Sequence, residues 1–554
     1  MPMLTAPHRK KPSGLSRRTL FRNGGLVAAA GLSPGWASSA AAAPVLSFGA
    51  DMYKSIGVRP VINAKGTFTM LSGSLMLPEC RQAMQQASRS FVQMDELMEA
   101  VGKRLSEITG AESAIVTCGC AAGLAHATAA CLAGGDPEKI HRLPDPIGLK
   151  SEVVVPEYSR NIYDQSIRMI GPKIISFDSE AAMRSAINER TAMAMVVASP
   201  RDRGPLGLKE VASIAHEYDV PVLVDAAAEV LTIPNVHLQR GADLVAYSGG
   251  KALLGPQSSG LLIGRKDLIK AARLNSAPHH GFGRPMKVGK EDVMGLLAAV
   301  EMWVRRDHEA EWRTWENWLD EIGVAVRRLD GVTTEVLETR GLSNRSPRMD
   351  VRWDGERFRM SGDELYKQLY NGDPRIVLAE STGDRRHPRD SSVTVMPWQL
   401  QPGEAQIVGA EIYRALSSPP GDPNPSKPAG PTAGVSGQWD VEMSYVRMTA
   451  KHRFLIDQDG DSLLGTHMGE TTGGDLKGWI EGNEIRFRSA HPLEGAGFHF
   501  EFMGRVNGEE MAGEVDLGEY GTAEWSAKRQ SYDGAGNSRR LRLRDRFGRL
   551  WGPL

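Results

Sequence analysis

Between Val61 and about Leu416, short apolar, β-branched runs alternate with longer amphipathic stretches, and few folds accept that rhythm. "SAIVTCG" (Ser113 to Gly119) reads as a strand and the following "CAAGLAHATAACL" as a helix. "SEVVVP", "AMAMVVASP", "VPVLVDAAAE" and "GADLVAYS" continue the series, separated by helical spans such as "LKEVASIAHEYD". Strands joined through helices run parallel, and uninterrupted apolar runs are buried on both faces. The pattern therefore predicts an α/β fold, a mainly parallel sheet with helices on both faces. Ligands on such sheets sit at the carboxyl ends of the strands.

The rest of the chain departs from that rhythm in both directions. "SRRTLFRNGGLVAAAGL" places Arg17 and Arg18 before a short apolar run, and "ASSAAAAP" follows with small residues. That is the order of a twin-arginine export signal, so residues 1–43 are expected to be removed and the protein to be periplasmic or secreted. No segment has the length and apolarity of a membrane span. Residues 44–329 form the expected large domain and 330–416 a smaller α+β subdomain. The tryptophans of "VMGLLAAVEMWVRRDHEAEWRTWENWLDEI" (Trp303, Trp312, Trp315, Trp318) are expected to pack. Residues 417–435, rich in proline and glycine, read as a linker. Beyond it, residues 436–530 alternate apolar and polar positions between turn signals, which predicts an antiparallel β-sandwich or barrel. Asp457, Asp459 and Asp461 do not make a calcium loop, because Ser462 and Met468 stand where glycine and glutamate are needed. Residues 531–554 are a basic tail.

Composition narrows the function. The 554 residues carry a formal net charge of -1, which argues against a nucleic-acid partner, and the four cysteines lack metal-site spacing. The informative stretch is "LVAYSGGKALLGPQSSGLLIG" (Leu244 to Gly264), in which Lys251 follows an apolar run and is flanked by small residues. A lysine amine there can join covalently to an aldehyde. Asp225 ends another apolar run, where a carboxylate calls for a cation. "TCGCAAG" (Thr117 to Gly123) opens a helix whose N-terminus suits a phosphate, and Ser248 adds a hydroxyl. One cofactor, pyridoxal 5'-phosphate, accounts for all of these features.

These motifs, with "VINAKGTFTMLSGSLMLPE", "RNIYDQSIRMIG", "GRPMKVGKED" and "VMPWQLQPGE", resemble fold type I pyridoxal phosphate enzymes. Within them the chain is similar to L-seryl-tRNA selenium transferases and D-glucosaminate-6-phosphate ammonia-lyase-like proteins. The resemblance implies Lys251 as the cofactor lysine and Asp225 as partner of the pyridine nitrogen. It places Cys118, Gly119, Cys120 and Ser248 near the phosphate and Ala227 against the ring. It also implies a homodimer or larger homo-oligomer, with Gln257, Ser258 and Ser259 serving a neighbouring subunit. Ser159 stands where the lyase-like pattern has histidine, and an export signal replaces the tRNA-binding region of the transferases. The C-terminal domain resembles the lipocalin-like domains of secreted hydrolases.

The resulting expectation is an exported lyase that eliminates a β leaving group from an amino acid or amino-sugar acid. Transferase, aminotransferase and racemase chemistry share the early steps, and a non-catalytic binding protein retaining the fold is the remaining alternative. Arg375, Arg284 and His280 are the candidate substrate-binding residues, with Lys287, His279 and Glu229 beside them; no metal and no membrane partner is expected.

Overall fold

A computed structural model of the chain describes residues 48–339, 341–384, 387–418, 432–493 and 496–530. The export signal, most of the linker and the basic tail read from the sequence lie outside the described residues. Two compact units are distinguished, residues 1–60 and 61–554. In the first, the described part holds the single 3-10 turn Lys54–Ile56, ended by Gly57 at φ 79°.

The second unit opens with β1 (Val61–Ala64) and continues with the strands of a seven-stranded sheet. These are β2 (Ser113–Thr117), β3 (Glu152–Pro156), β4 (Lys173–Phe177), β5 (Thr191–Val197), β6 (Val222–Asp225), β7 (Leu244–Ser248) and β8 (Gly260–Gly264). Their order is β2-β8-β7-β6-β5-β3-β4. Strands β3 to β7 pair in parallel, and every residue of β3 and β6 is buried, as a sheet covered on both faces requires. β8 runs antiparallel to both β7 and β2. Two reversals restore the direction, so Thr117, Asp225 and Ser248 end their strands at the same edge of the sheet.

The smaller subdomain holds β9 (Thr333–Leu337), β10 (Arg348–Trp353), β11 (Arg375–Leu378), β12 (Glu380–Thr382) and β13 (Ser391–Val395). The order β12-β13-β10-β9 makes an antiparallel sheet, while β11 pairs in parallel with β1. That pairing, Val61↔Arg375 to Ala64↔Leu378, puts Ile62 and Ala64 in the small subdomain's core rather than with the residues of 44–329 around them. A two-strand parallel match between distant segments leaves no local sequence signal.

Residues after the linker form a closed antiparallel barrel, β14 (Gly437–Ser444), β15 (Thr449–Asp459), β16 (Ser462–Met468), β17 (Gly473–Glu481), β18 (Glu484–Leu493), β19 (Ala496–Asn507), β20 (Glu510–Asp516) and β21 (Thr522–Arg529). Closure by β14 with β21 removes the exposed edges that an open sheet would present. Alternate side chains point inward; Phe454 meets Phe487, Phe502 and Trp525 edge-on at ring separations of 4.9, 5.0 and 5.8 Å.

Candidate active site

The turn "TCGCAAG", expected to bind a phosphate, lies at the end of β2. Gly119 takes φ 84° before the helix Cys120–Ala133 and as its N-cap offers no side-chain acceptor, so among the described residues no N-cap side chain is bonded to the helix's first N–H groups. Gly260 on β8 lies close beneath: a Cβ there would come within 2.4 Å of the Gly119 carbonyl carbon and 2.6 Å of Thr117 Oγ1. Among the described residues nothing lies within 4 Å of the Cβ position at Gly119 itself, which leaves room for a ligand against the backbone. Cys118 is half-buried, and burial followed by the nearby Asp292 charge pushes its thiol pKa up. Ser248, also half-buried, ends β7 at the same sheet edge.

Asp225 is 6% exposed at the end of β6. Its Oδ1 accepts the Ala227 N–H at 3.0 Å, and the Cys120 Sγ stands 3.7 Å from the same oxygen. Burial raises its pKa; the Ala227 N–H and the Lys251 ammonium act in the opposite direction. The carboxylate is thus buried at the ligand edge with no hydrogen bond from a cationic side chain among the described residues, which fits a protonated pyridine nitrogen. Lys251 is half-buried and follows Gly249 and Gly250, where a Cβ would fall 2.1 Å from Ser259 Oγ and 2.4 Å from Gln257 Oε1 respectively. The small residues flanking Lys251 let this turn fold tightly on itself.

Several sequence expectations find other placements. Ser259, expected to reach a neighbouring subunit, is fully buried in its own chain and donates to the Pro256 carbonyl, while Gln257 and Ser258 are exposed. Ser159 is buried and its hydroxyl accepts the Val197 N–H at 2.9 Å, a structural bond. An aromatic ring does stand near Asp225: burial, then the charges of Asp225 and Cys120, raise the pKa of Tyr163. Glu229 is taken up by the buried His237, Oε2 to Nε2 2.6 Å. Arg375 begins β11 with its guanidinium 5.1 Å from the Tyr370 ring and its buried Nε without a hydrogen-bond partner among the described residues. His280 and Arg284 are exposed on the loop after Asn275, and His279 is held by the Ser276 carbonyl and Asp95. None of these four shares a hydrogen bond or ion pair with Asp225 or Lys251.

Sequence reasoning passed over Lys65, whose Nζ donates to the Ala379 carbonyl at 3.0 Å and whose pKa burial lowers against the opposing charge of Glu380. It also missed a cavity beside the Lys251 turn. Trp303, Trp312 and Trp315 line that cavity with Trp398; of the four helical tryptophans expected to pack, Trp303 also packs against the core around the seven-stranded sheet and Trp318 against the small subdomain's core. Helical spacing told which face they share but not what covers it. Among the described residues, no group of three or more His, Cys, Asp or Glu side chains is arranged to hold a metal ion.

Comparison with known proteins places this geometry. Residues 85–282, spanning the Gly119 turn, Asp225 and Lys251, match the family model for class-V aminotransferases. The chain is 32% identical over 337 residues to D-glucosaminate-6-phosphate ammonia lyase of Salmonella typhimurium, covering 59% of this chain and 88% of that protein. It is 36% identical over 374 residues to 5'-C-glycyluridine monooxygenase-decarboxylase of a Streptomyces species, covering 64% of this chain and 86% of the relative. A solved D-glucosaminate-6-phosphate ammonia-lyase structure superposes with a TM-score of 0.58 at 30% identity, covering 66% of this chain and 98% of the other.

Proposed function

Because the chain belongs to the class-V aminotransferase family of fold type I pyridoxal phosphate enzymes, we propose that it is a lyase acting on an amino acid or amino-sugar acid, and that it works as an exported homo-oligomer. Pyridoxal phosphate is its cofactor; when bound, it supplies an electron sink for charge developing at the substrate α-carbon.

The chain's own residues divide the remaining work. N–H groups at the start of the helix Cys120–Ala133, with Cys118, Gly119 and Ser248, hold the phosphate by charge and hydrogen bonding. Asp225 holds a proton on the pyridine nitrogen, which its buried position makes favourable because carboxylate and cation neutralise each other. The Lys251 amine would hold the cofactor's aldehyde carbon and, as a free amine, would move the proton at the substrate α-carbon. The observation that carries the reading is the buried Asp225 carboxylate, acted on by the Lys251 charge, with the Cys120 Sγ that follows the glycine turn 3.7 Å from its Oδ1.

Incubation of holoenzyme with amino-acid and amino-sugar-acid panels tests the reading. Keto acid and ammonia in equal amounts support a lyase, whereas transaminated products without ammonia refute it. The similarity to the glycyluridine enzyme supports a second reading, oxidative decarboxylation, which would show as oxygen uptake with carbon dioxide release.

A further inference from the structure

The helix Cys120–Ala133 meets the sheet beside Asp225, and a glycine sets how closely. Asp225 pairs with Ala246 of β7 across the sheet. Gly123, in the first turn of the helix, lies against that same alanine: a Cβ there would stand 3.7 Å from the Ala246 Cβ and 3.3 Å from Thr117 Oγ1. Cys120 is three positions earlier, on the same face of the helix. The close approach at Gly123 therefore brings the Cys120 side chain against Asp225, with Sγ 3.7 Å from Oδ1.

A thiol in this place meets the carboxylate as a donor. Cys120 is buried, and burial, followed by the Asp225 charge, pushes its pKa well above the ordinary value, so the sulfur keeps its proton. Oδ1 thus accepts from both the Cys120 S–H and the Ala227 N–H, while among the described residues Oδ2 accepts from none. Donors to a carboxylate favour its charged form, and two on one oxygen hold it in one orientation. The other titratable groups acting on this charge are Lys251 and Glu229, the latter bonded to His237, and Tyr163 in turn feels it.

We propose that Cys120 is a positioning residue for Asp225: its thiol fixes the carboxylate through Oδ1 and leaves Oδ2 to hold the proton on the pyridine nitrogen. This rests on the cofactor reading above, and it gives the Cys120 side chain, expected beside the phosphate, a different task.

Nitrogen NMR of the protein loaded with pyridoxal phosphate, isotopically labelled at the ring nitrogen, reads that proton directly. The parent should show a protonated ring nitrogen. Cys120→Ala should move the resonance toward the unprotonated position, and Cys120→Ser, whose hydroxyl donates in the thiol's place, should return it toward the parent. The pH dependence of cofactor uptake is the second readout. Without the thiol donor Asp225 protonates more readily, so the acid limb of uptake should move up by about half a pH unit in Cys120→Ala. A thiol that only fills space would change the unfolding midpoint and neither of these readings. An unchanged resonance and acid limb in Cys120→Ala, or a serine variant no different from the alanine one, would overturn the proposal. A parent protein that takes up no pyridoxal phosphate would overturn the cofactor reading with it, and shows before any variant is compared.

Discussion

Asp225 and its neighbours set the chemistry one residue at a time. A carboxylate this buried is tolerated when a cation meets it, and Asp225→Asn keeps its shape while removing the charge. The substitution should lower the rate of the chemical step by roughly a hundredfold or more, read in single turnovers, with the cofactor still bound. Glu229 and His237 show the opposite use of buried polar groups, a closed pair. His237→Leu leaves the Glu229 carboxylate without its partner and should destabilise the protein by about 3–5 kcal/mol, measured as a shift in denaturant midpoint. Lys251, Asp225 and the glycine turn were legible in the sequence because each residue type is costly where it stands unless a ligand uses it. Glu229 was read as a residue lining the site, and its buried partner arrives through a fold no local pattern reveals. The pairing of Glu229 with His237, like the cavity face of Trp312, is a fact of tertiary placement.

At the scale of elements, the junction of β2 with the helix Cys120–Ala133 depends on the bare backbone of Gly260. Gly260→Ala drives a methyl into Gly119 and should weaken cofactor binding by about 1.5–3 kcal/mol, the worth of a hydrogen bond to a charged group, read by titration of apoprotein with pyridoxal phosphate. The alternation of apolar runs made the sheet legible, since strands covered on both faces must be apolar throughout. The antiparallel course of β8 was not, because a buried strand looks the same in either direction. The barrel hides a further element-scale device: His467 on β16 and His491 on β18 are buried inside it, and the His452 Nδ1 of β15 lies 2.8 Å from His467 Nε2. Burial, then the neighbouring histidines, push His467 down to about 2 and His491 to about 4 from 6.5. Both are neutral when folded, so the unfolded chain binds the extra protons as the pH drops below about 6.5. Their contribution to stability is full above that value and is lost progressively toward pH 4 and below. Acid should therefore lower the barrel's thermal midpoint, and the decline between pH 7 and 4 should be shallower in His467→Phe.

For the whole molecule, three large apolar clusters are separate: one around the seven-stranded sheet, one in the small subdomain and one inside the barrel. A closed barrel with its own core buries its apolar faces without help. Scanning calorimetry should accordingly show the barrel as a transition of its own, and pyridoxal phosphate should raise only the transition of the α/β region, since a ligand stabilises the unit that binds it. The break in composition at residues 417–435 made this division visible, whereas the alternation beyond it was compatible with sandwich and barrel alike until strand closure decided between them. The central claim is that Lys251 carries the cofactor. The direct measurement is the visible absorbance of the purified protein before and after borohydride, followed by mass mapping of the modified peptide. The account predicts an absorbance band that borohydride abolishes, with the pyridoxyl group on Lys251 and no band in Lys251→Ala. A label on Lys65, a half-buried lysine whose pKa burial lowers, or a colourless protein that pyridoxal phosphate does not reconstitute, would contradict it.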